Sequence, residues 1–96
     1  MTTPPAYQVT HHRPDDSDRG RRIEGLGGPD STTGGLWYRD IDLLIRGIEH
    51  KDYRLWTVDA AGNSVWVVVD ERNGRKFLRT ESDGIIPNNL LALPHC

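Results

Sequence analysis

The stretch Lys76-Phe-Leu-Arg-Thr-Glu-Ser-Asp-Gly-Ile-Ile-Pro-Asn-Asn-Leu-Leu-Ala-Leu-Pro94 decides the fold of this 96-residue chain. Its order predicts a short strand, then a polar turn, and then an apolar hook in which Leu90, Leu91 and Leu93 pack down on the domain. It carries no recognisable catalytic motif. The stretch therefore predicts a kind of small domain and leaves the function open.

Two more strands precede this stretch and complete a meander. Strands are predicted over residues 53–59, 65–70 and 76–80. The middle strand is apolar on both faces, which predicts a central place in the sheet. Asn73-Gly74 separates the last two strands and is the strongest short signal for a hairpin with a type I′ turn.

One amphipathic helix is predicted before the meander. Apolar residues recur with a 3.6-residue period at Trp37, Ile41, Leu44, Ile45 and Ile48. Acidic residues near the start of this segment and basic residues near its end suit the helix dipole. We place the helix near residues 37–46 and expect Gly47 to end it in a left-handed conformation.

The first third of the chain is poor in branched aliphatic residues. Residues 1–6 are predicted to be a disordered tail. Residues 7–12 alternate as a strand does, residues 21–26 are predicted to pair back on them, and residues 27–35 are predicted to be a turn-rich linker. The element order is then ββαβββ. We therefore predict a single α+β domain over residues 7–96, with an antiparallel sheet, one helix packed on one face and a C-terminal apolar hook.

The composition argues against several classes of function. The net charge is −2 with both signs interspersed, so no strong field draws the whole protein to nucleic acid or to an anionic membrane. No apolar run approaches the ~18 residues that span a bilayer. The N-terminus lacks the features of a signal peptide, and the single Cys96 has no internal partner for a disulfide. We therefore expect a cytoplasmic protein of a bacterium or a similar cell, with no membrane contact.

The C-terminal residues also carry a resemblance to a known family. Phe77-Leu-Arg-Thr80, Asp83 and Asn89-Leu-Leu-Ala-Leu-Pro94 resemble the pattern of short bacterial proteins known as domain of unknown function 3892. Leu44-Ile45-Arg46-Gly47 and the strand that follows it support the resemblance, which covers residues 7–95.

The chain departs from that family pattern at two places. Phe77 stands where the family usually has Tyr, so a hydroxyl that would bond a neighbour is missing, and the linker over residues 27–35 is longer. Because the family has no established activity, the resemblance implies a fold and implies nothing about catalysis.

A group of polar residues around the last turn has two interpretations. The group is Arg79, Thr80, Asp83, Asn88 and Asn89. It is either a pocket that binds a ligand, in which the guanidinium of Arg79 binds an anion, or a set of structural polar residues that organise the turn. We favour the structural role for Arg79, Thr80, Asp83 and Asn89, because a loop over a sheet leaves many backbone groups that need partners. Arg79 is predicted to pair with Asp83, and Asn88 or Asn89 to cap the last helical turn.

The sequence gives little support for catalysis or for metal binding. His11 and His12 are adjacent on a predicted strand and point to opposite faces, so only one of them can join a single site. Neither they nor His95 and Cys96 show the spacing of zinc ligands. There is no Gly-x-Ser-x-Gly elbow, and the paired carboxylates lie beside exposed turns. We expect no enzyme activity, no metal and no cofactor.

The strongest functional signal is the second face of the sheet. Trp56, Val58, Trp66 and Val68 suggest an apolar surface that one helix cannot cover, which is typical of an interaction surface. We therefore predict a non-catalytic module that binds a protein partner or forms a homodimer. The predicted binding residues are Arg54, Trp56, Trp66 and Arg79. The alternative is single-stranded nucleic-acid binding, with arginines and indoles as a stacking platform, but interleaved acidic residues make nucleic acid the less expected partner.

Overall fold

Seven strands and two helices lie in the part of the chain that the computed structural model describes, namely residues 3–18, 21–83 and 88–96. The strands are β1 (Ala6–Gln8), β2 (His11–Pro14), β3 (Ile23–Pro29), β4 (Leu36–Asp40), β5 (Arg54–Val58), β6 (Ser64–Arg72) and β7 (Arg75–Thr80). The helices are α1 (Ile41–Glu49) and α2 (Asn88–Leu91).

The strands form two sheets that share one core. The four-stranded sheet has the order β1-β5-β6-β7 and the three-stranded sheet the order β2-β3-β4, with every pair antiparallel except β1 and β5. The core consists of Val9, Ile23, Leu26, Ile41, Leu44, Ile45, Leu55, Val67, Leu78 and Leu90. Each such buried side chain stabilises the fold by about 1.5–3 kcal/mol. The α+β class is confirmed, but the single sheet expected from the sequence is wrong.

The chain changes sheets within its first strand region. The N–H of Val9 donates to the carbonyl of Trp56 in one sheet (2.7 Å), and the N–H of Thr10 donates to the carbonyl of Gly27 in the other (2.9 Å). The buried hydroxyl of Thr57 donates to the carbonyl of Val9 (2.8 Å), which satisfies the backbone at the crossing. The one N-terminal strand predicted from alternation is therefore two strands.

The helix begins and ends later than its apolar period predicted. The side chain of Asp40 accepts a hydrogen bond from the N–H of Leu43 (3.1 Å), so Asp40 is the N-cap. Trp37, which fits the same period, lies in β4. Gly47 lies inside the helix and is buried. The position requires glycine, because a Cβ there would collide with the ring of Tyr53. The helix ends instead before Lys51, whose φ is 61°.

The predicted glycine-rich linker is largely strand. Gly27 and Gly28 lie in β3, with β2 on one side and β4 on the other. A Cβ on Gly28 would collide with the carbonyl oxygen of Gln8 and would lie 2.9 Å from the indole of Trp37. Gly28 therefore allows close packing between the two sheets, and only residues 30–35 form a turn.

The C-terminal meander agrees with its prediction. Strands β5, β6 and β7 follow in order, and β6 lies inside the sheet. Asn73 and Gly74 have φ values of 53° and 77°, as a type I′ turn requires. This turn fixes the register in which β6 and β7 pair.

The predicted apolar hook is also present. Leu90 in α2 is fully buried, and Leu91 and Leu93 pack against the core. The isoleucines at 85 and 86 lie outside the described residues. At the other end, the carbonyl of Pro5 accepts a hydrogen bond from the N–H of Arg54 (2.8 Å). Disorder of the N-terminal tail stays a prediction, and Met1 and Thr2 lie outside the described residues.

Candidate functional site

The strand register gathers the predicted binding residues on one side of the four-stranded sheet. Trp56 lies directly opposite Trp66, and Val68 lies opposite Arg79. Successive side chains of a strand alternate between faces, so Arg54 shares the side of Trp56. We call this surface the aromatic face, formed by Arg54, Trp56, Val58, Trp66, Val68 and Arg79. The opposite side carries Leu55, Val67 and Leu78 of the core.

The indoles of the aromatic face are not part of the core. Trp56 and Trp66 are each half-buried, as is Val68, while Val58 is 41% exposed and Arg54 is exposed. None of these side chains belongs to the cluster of buried residues or to the half-buried residues that pack on it. The face is thus a partly hydrated aromatic surface on a rigid sheet.

One contact on this face joins a cation to an indole. The guanidinium carbon of Arg54 lies 3.5 Å from the ring centroid of Trp66. A cation over an aromatic face contributes about 0.5–1 kcal/mol at an exposed site. The stack fixes the position of both side chains, and it also occupies one face of the Trp66 ring.

Arg79 is held by several acceptors at the border of the aromatic face. Its Nε donates to Oδ2 of Asp70 (2.9 Å), and its Nη1 donates to the carbonyls of Thr80 and Asp83 (3.0 Å each). The hydrogen bond from Arg79, followed by the one from the N–H of Glu71, holds the pKa of the Asp70 carboxyl below its ordinary value. The predicted ion pair with the Asp83 side chain is wrong, because Arg79 reaches the main chain of Asp83 instead.

The carboxylate of Asp83 joins the end of β7 to α2. We call residues 80–83 and 88–96 the closing segment. Oδ2 of Asp83 accepts from the hydroxyl of Thr80 (3.0 Å) and from the N–H of Asn89 (3.1 Å). Nδ2 of Asn89 donates back to Oγ1 of Thr80 (2.8 Å) and to Oγ of Ser82 (3.0 Å). Asp83, rather than Asn89, therefore accepts a hydrogen bond at the start of the last helical turn, and the side chain of Asn88 lies outside the described part of the structure.

His12 attaches the end of the closing segment to β2. It is 1% exposed, its N–H donates to the carbonyl of Pro94 (2.9 Å), and its carbonyl accepts from the N–H of Cys96 (3.0 Å). Its ring meets that of His95 edge to face at 4.9 Å. Burial lowers the pKa of His12, and a charge on His95 acts in the same direction. Within the described residues its Nδ1 has no hydrogen-bond partner.

The histidine pair does not belong to a metal centre in the described part of the chain. No group of three or more His, Cys, Asp or Glu side chains is placed there to hold a metal ion. Cys96 is an exposed free thiol. No described helix is long and apolar enough to cross a membrane.

Two residues at these sites were missed by sequence reasoning. Asp70 is one of the paired carboxylates placed beside exposed turns, yet the register set by the Asn73-Gly74 turn places it diagonally across from Arg79. From the sequence, His12 is considered only as a candidate for a metal or catalytic site, and its burial follows from the change of sheet just before it. The first signal was present in the sequence, whereas the second depends on the three-dimensional path of the chain.

Comparison with known proteins gives a family without an assigned activity. The model of a family described as "Protein of unknown function (DUF3892)" matches residues 8–94, nearly the whole chain. No curated protein and no solved structure matched the chain.

Proposed function

The chain belongs to the DUF3892 family of proteins of unknown function, and we propose that it is a small non-catalytic module that contacts protein through the aromatic face. A second copy of the chain is the partner that we propose first, with a different protein surface as the broader class. We also propose that it works in the bacterial cytoplasm, because its charges are mixed and its one cysteine is a free thiol.

The observation that carries this proposal is the pair of half-buried indoles outside the core. Trp56 and Trp66 face each other across two strands that are fixed on their other side by Leu55 and Val67. Large aromatic side chains on a rigid support lose little conformational entropy on binding, and they are enriched among residues that dominate binding energies. Polar groups of Ser64, Asp70 and Arg79 border the surface, as is usual at interface rims.

The hydrogen bonds among the polar residues of the closing segment support a structural role for these residues. Each of Thr80, Asp83 and Asn89 bonds to another of the three, so their polar atoms are used within the fold. A site for an anion would need donors that remain available, and Nη1 of Arg79 is directed at main-chain carbonyls. This arrangement favours a module without catalysis over a pocket centred on Arg79.

The alternative partner is single-stranded nucleic acid. Stacking of bases on Trp56 and Trp66 with help from Arg54 would use the same face. The position of Arg54 over Trp66 argues against it, because the guanidinium already covers a ring that a base would stack on. The net charge of −2 also supplies no general attraction for phosphate.

The test is the oligomeric state as a function of concentration. We expect sedimentation velocity of the wild-type protein to show a monomer–dimer equilibrium with a dissociation constant of about 1 mM or lower. Trp56→Ser should weaken the dimer about tenfold or more, as loss of a central aromatic contact does. Leu43→Ser is the matched control, since Leu43 is 51% exposed on α1, away from the aromatic face.

The outcomes separate the two partner classes. A wild-type monomer at every concentration, or equal loss of the dimer in both variants, would remove the proposal of self-association through this face. Retention on single-stranded DNA at low salt, lost in Arg54→Gln and on addition of salt, would support the nucleic-acid alternative instead.

A further inference from the structure

A cleft of about 410 Å³ opens on another part of the molecule, where β1 and β5 of one sheet meet β4 and the 30–35 turn of the other. Its floor is formed by the buried side chains of Leu44 and Leu55. This volume lies within the range of small-molecule sites in proteins, roughly 300–1,000 Å³. Since Leu55 points to the core side of its sheet, the cleft is separate from the aromatic face.

Three aromatic side chains line the cleft. Tyr7, Trp37 and Tyr53 contribute to it, and the rings of Tyr7 and Tyr53 meet edge to face with centroids 6.1 Å apart. Trp37 and Tyr53 are half-buried, whereas Tyr7 is 47% exposed. The hydroxyl of Tyr53 donates to the carbonyl of Leu43 (3.2 Å), which fixes its ring. The walls therefore offer ring edges and faces to a planar apolar group.

Two charged side chains line the same cleft, and they differ in how they are bonded. Asp30 accepts a hydrogen bond from the N–H of Thr32 (2.9 Å), so its carboxylate shapes the 30–35 turn. In the described part of the chain Arg39 has no carboxylate partner, and Nη1 makes one long hydrogen bond to the carbonyl of Tyr38 (3.3 Å). Most of its donors are therefore free for a ligand.

The position of Arg39 relative to the aromatic walls is consistent with joint recognition. Arg39 and Tyr53 line the same cleft. Burial raises the pKa of Tyr53, and the positive charge of Arg39 acts in the opposite direction. A guanidinium beside aromatic rings suits a ligand that combines a planar ring with a carboxylate or phosphate, because its fork binds either anion bidentately.

We propose that this cleft binds a small aromatic anion, with its ring between Tyr7, Trp37 and Tyr53 and its charged group on Arg39. The proposal is independent of the aromatic face and of self-association. It assigns to the chain a ligand site that is distinct from the closing segment and from the aromatic face.

The first experiment varies the charge on one ring. Indole-3-acetate, indole and tryptamine are titrated separately into ¹⁵N-labelled full-length protein, and amide and indole N–H shifts are followed by NMR. We expect saturable shifts at Trp37 and Tyr53 with indole-3-acetate, and affinity at least about tenfold weaker for neutral indole, as loss of a charge-assisted hydrogen bond implies. Tighter binding of tryptamine, or no saturable shift with indole-3-acetate, would overturn the proposal.

The second experiment tests the residues. Arg39→Gln should weaken indole-3-acetate about tenfold or more and leave indole unchanged, while Tyr7→Ala should weaken both. Arg72→Gln is the matched control, because Arg72 is an exposed arginine at the end of β6 and does not line the cleft. Far-UV circular dichroism checks that each variant is folded. Equal affinity of Arg39→Gln and wild type for indole-3-acetate would overturn the assignment of Arg39.

Discussion

The closing segment and the aromatic face differ in which side chains are buried and which remain in contact with water. In the closing segment the fully buried Thr80 and the half-buried Asp83 and Asn89 bond to each other. On the aromatic face large apolar groups remain partly hydrated, although each has a buried neighbour on the same strand. The first region contributes to stability through satisfied hydrogen bonds. The second leaves apolar surface in water, where binding a partner would stabilise it.

The two regions meet at Arg79, which belongs to the aromatic face by register and bonds to the closing segment by its guanidinium. This contact explains why the sequence suggested both a binding role and a structural role for the same residue. The comparison predicts that substitutions in the closing segment change the free energy of unfolding, while those on the aromatic face change association.

The largest expected effect of a substitution in these two regions is that of Asp83→Ala. The change removes the carboxylate that accepts from the buried Thr80 hydroxyl and from the half-buried N–H of Asn89, and it leaves Ser82 Oγ (3.3 Å) as the other acceptor near the Thr80 hydroxyl. We expect a loss of about 2–4 kcal/mol in the free energy of unfolding. Urea denaturation measures it, with Asp16→Ala at an exposed loop position as the control, expected to lie within about 0.5 kcal/mol of wild type. A similarly small change in Asp83→Ala would mean that the closing segment does not stabilise the fold.

Trp66→Ser is expected to have a smaller effect on stability. The indole is half-buried and its contacts are a cross-strand pair with Trp56 and the stack with Arg54, so we expect a loss of about 1–2 kcal/mol. Leu55→Ala, on the core side of the same sheet, should cost about 2–5 kcal/mol. Thermal and urea denaturation of both variants measure the difference. If Trp66→Ser costs as much as Leu55→Ala, the indole is a core residue and the distinction between the faces fails.

The attachment of the closing segment at His12 should depend on pH. In the unfolded chain His12 takes up a proton near pH 6.5, while burial lowers the pKa in the folded protein. The neutral histidine thus contributes stability that is complete above pH 6.5 and is lost as pH falls through the folded pKa. We expect a lower urea midpoint at about pH 5.5 than at about pH 7.5, with a difference smaller than the effect of Asp83→Ala.

The control for this pH dependence is another histidine. His50→Gln, at the exposed end of α1, should keep the difference between the two midpoints, and His12→Gln should reduce it. An unchanged pH dependence in His12→Gln would show that a different group is responsible.

The smallest expected effect is that of Arg54→Gln. It removes the cation over Trp66 and should cost about 0.5–1 kcal/mol, since such contacts are weak where water reaches them. Arg72→Gln removes the same charge from an exposed position that lacks an aromatic partner in the described part of the chain, and it should lie within about 0.5 kcal/mol of wild type. A double-mutant cycle with Trp66→Ser isolates the contact. A coupling energy near zero would mean that the stack does not order the aromatic face.

The C-terminal half of the fold was predictable because its signals are local. Asn73-Gly74 specifies a turn that fixes the register of β6 and β7, and alternation along β5 and β6 then assigns the sides of the sheet. The same register brings together the binding residues that the sequence suggested. The polar residues around Asp83 were also recognisable, although their individual partners were not, because these depend on how the turn folds back over β7.

The N-terminal half was less predictable because its structure depends on contacts between distant segments. The crossing at Val9 and Thr10 is determined by partners in two sheets, and no local pattern marks it. Gly28 and Gly47 suggested a turn and a helix end, yet both are needed for close packing against residues far along the chain. The cleft around Arg39 likewise joins residues from both sheets, so no short motif predicted it.

Amide hydrogen exchange at Asn89 tests the central claim most directly, since its N–H donates to the carboxylate of Asp83 (3.1 Å). If the closing segment is structural, this amide opens only when the domain unfolds, and it should exchange about as slowly as the amide of Leu78 in β7. Exchange near the rate of an unprotected amide, while Leu78 stays protected, would contradict the account.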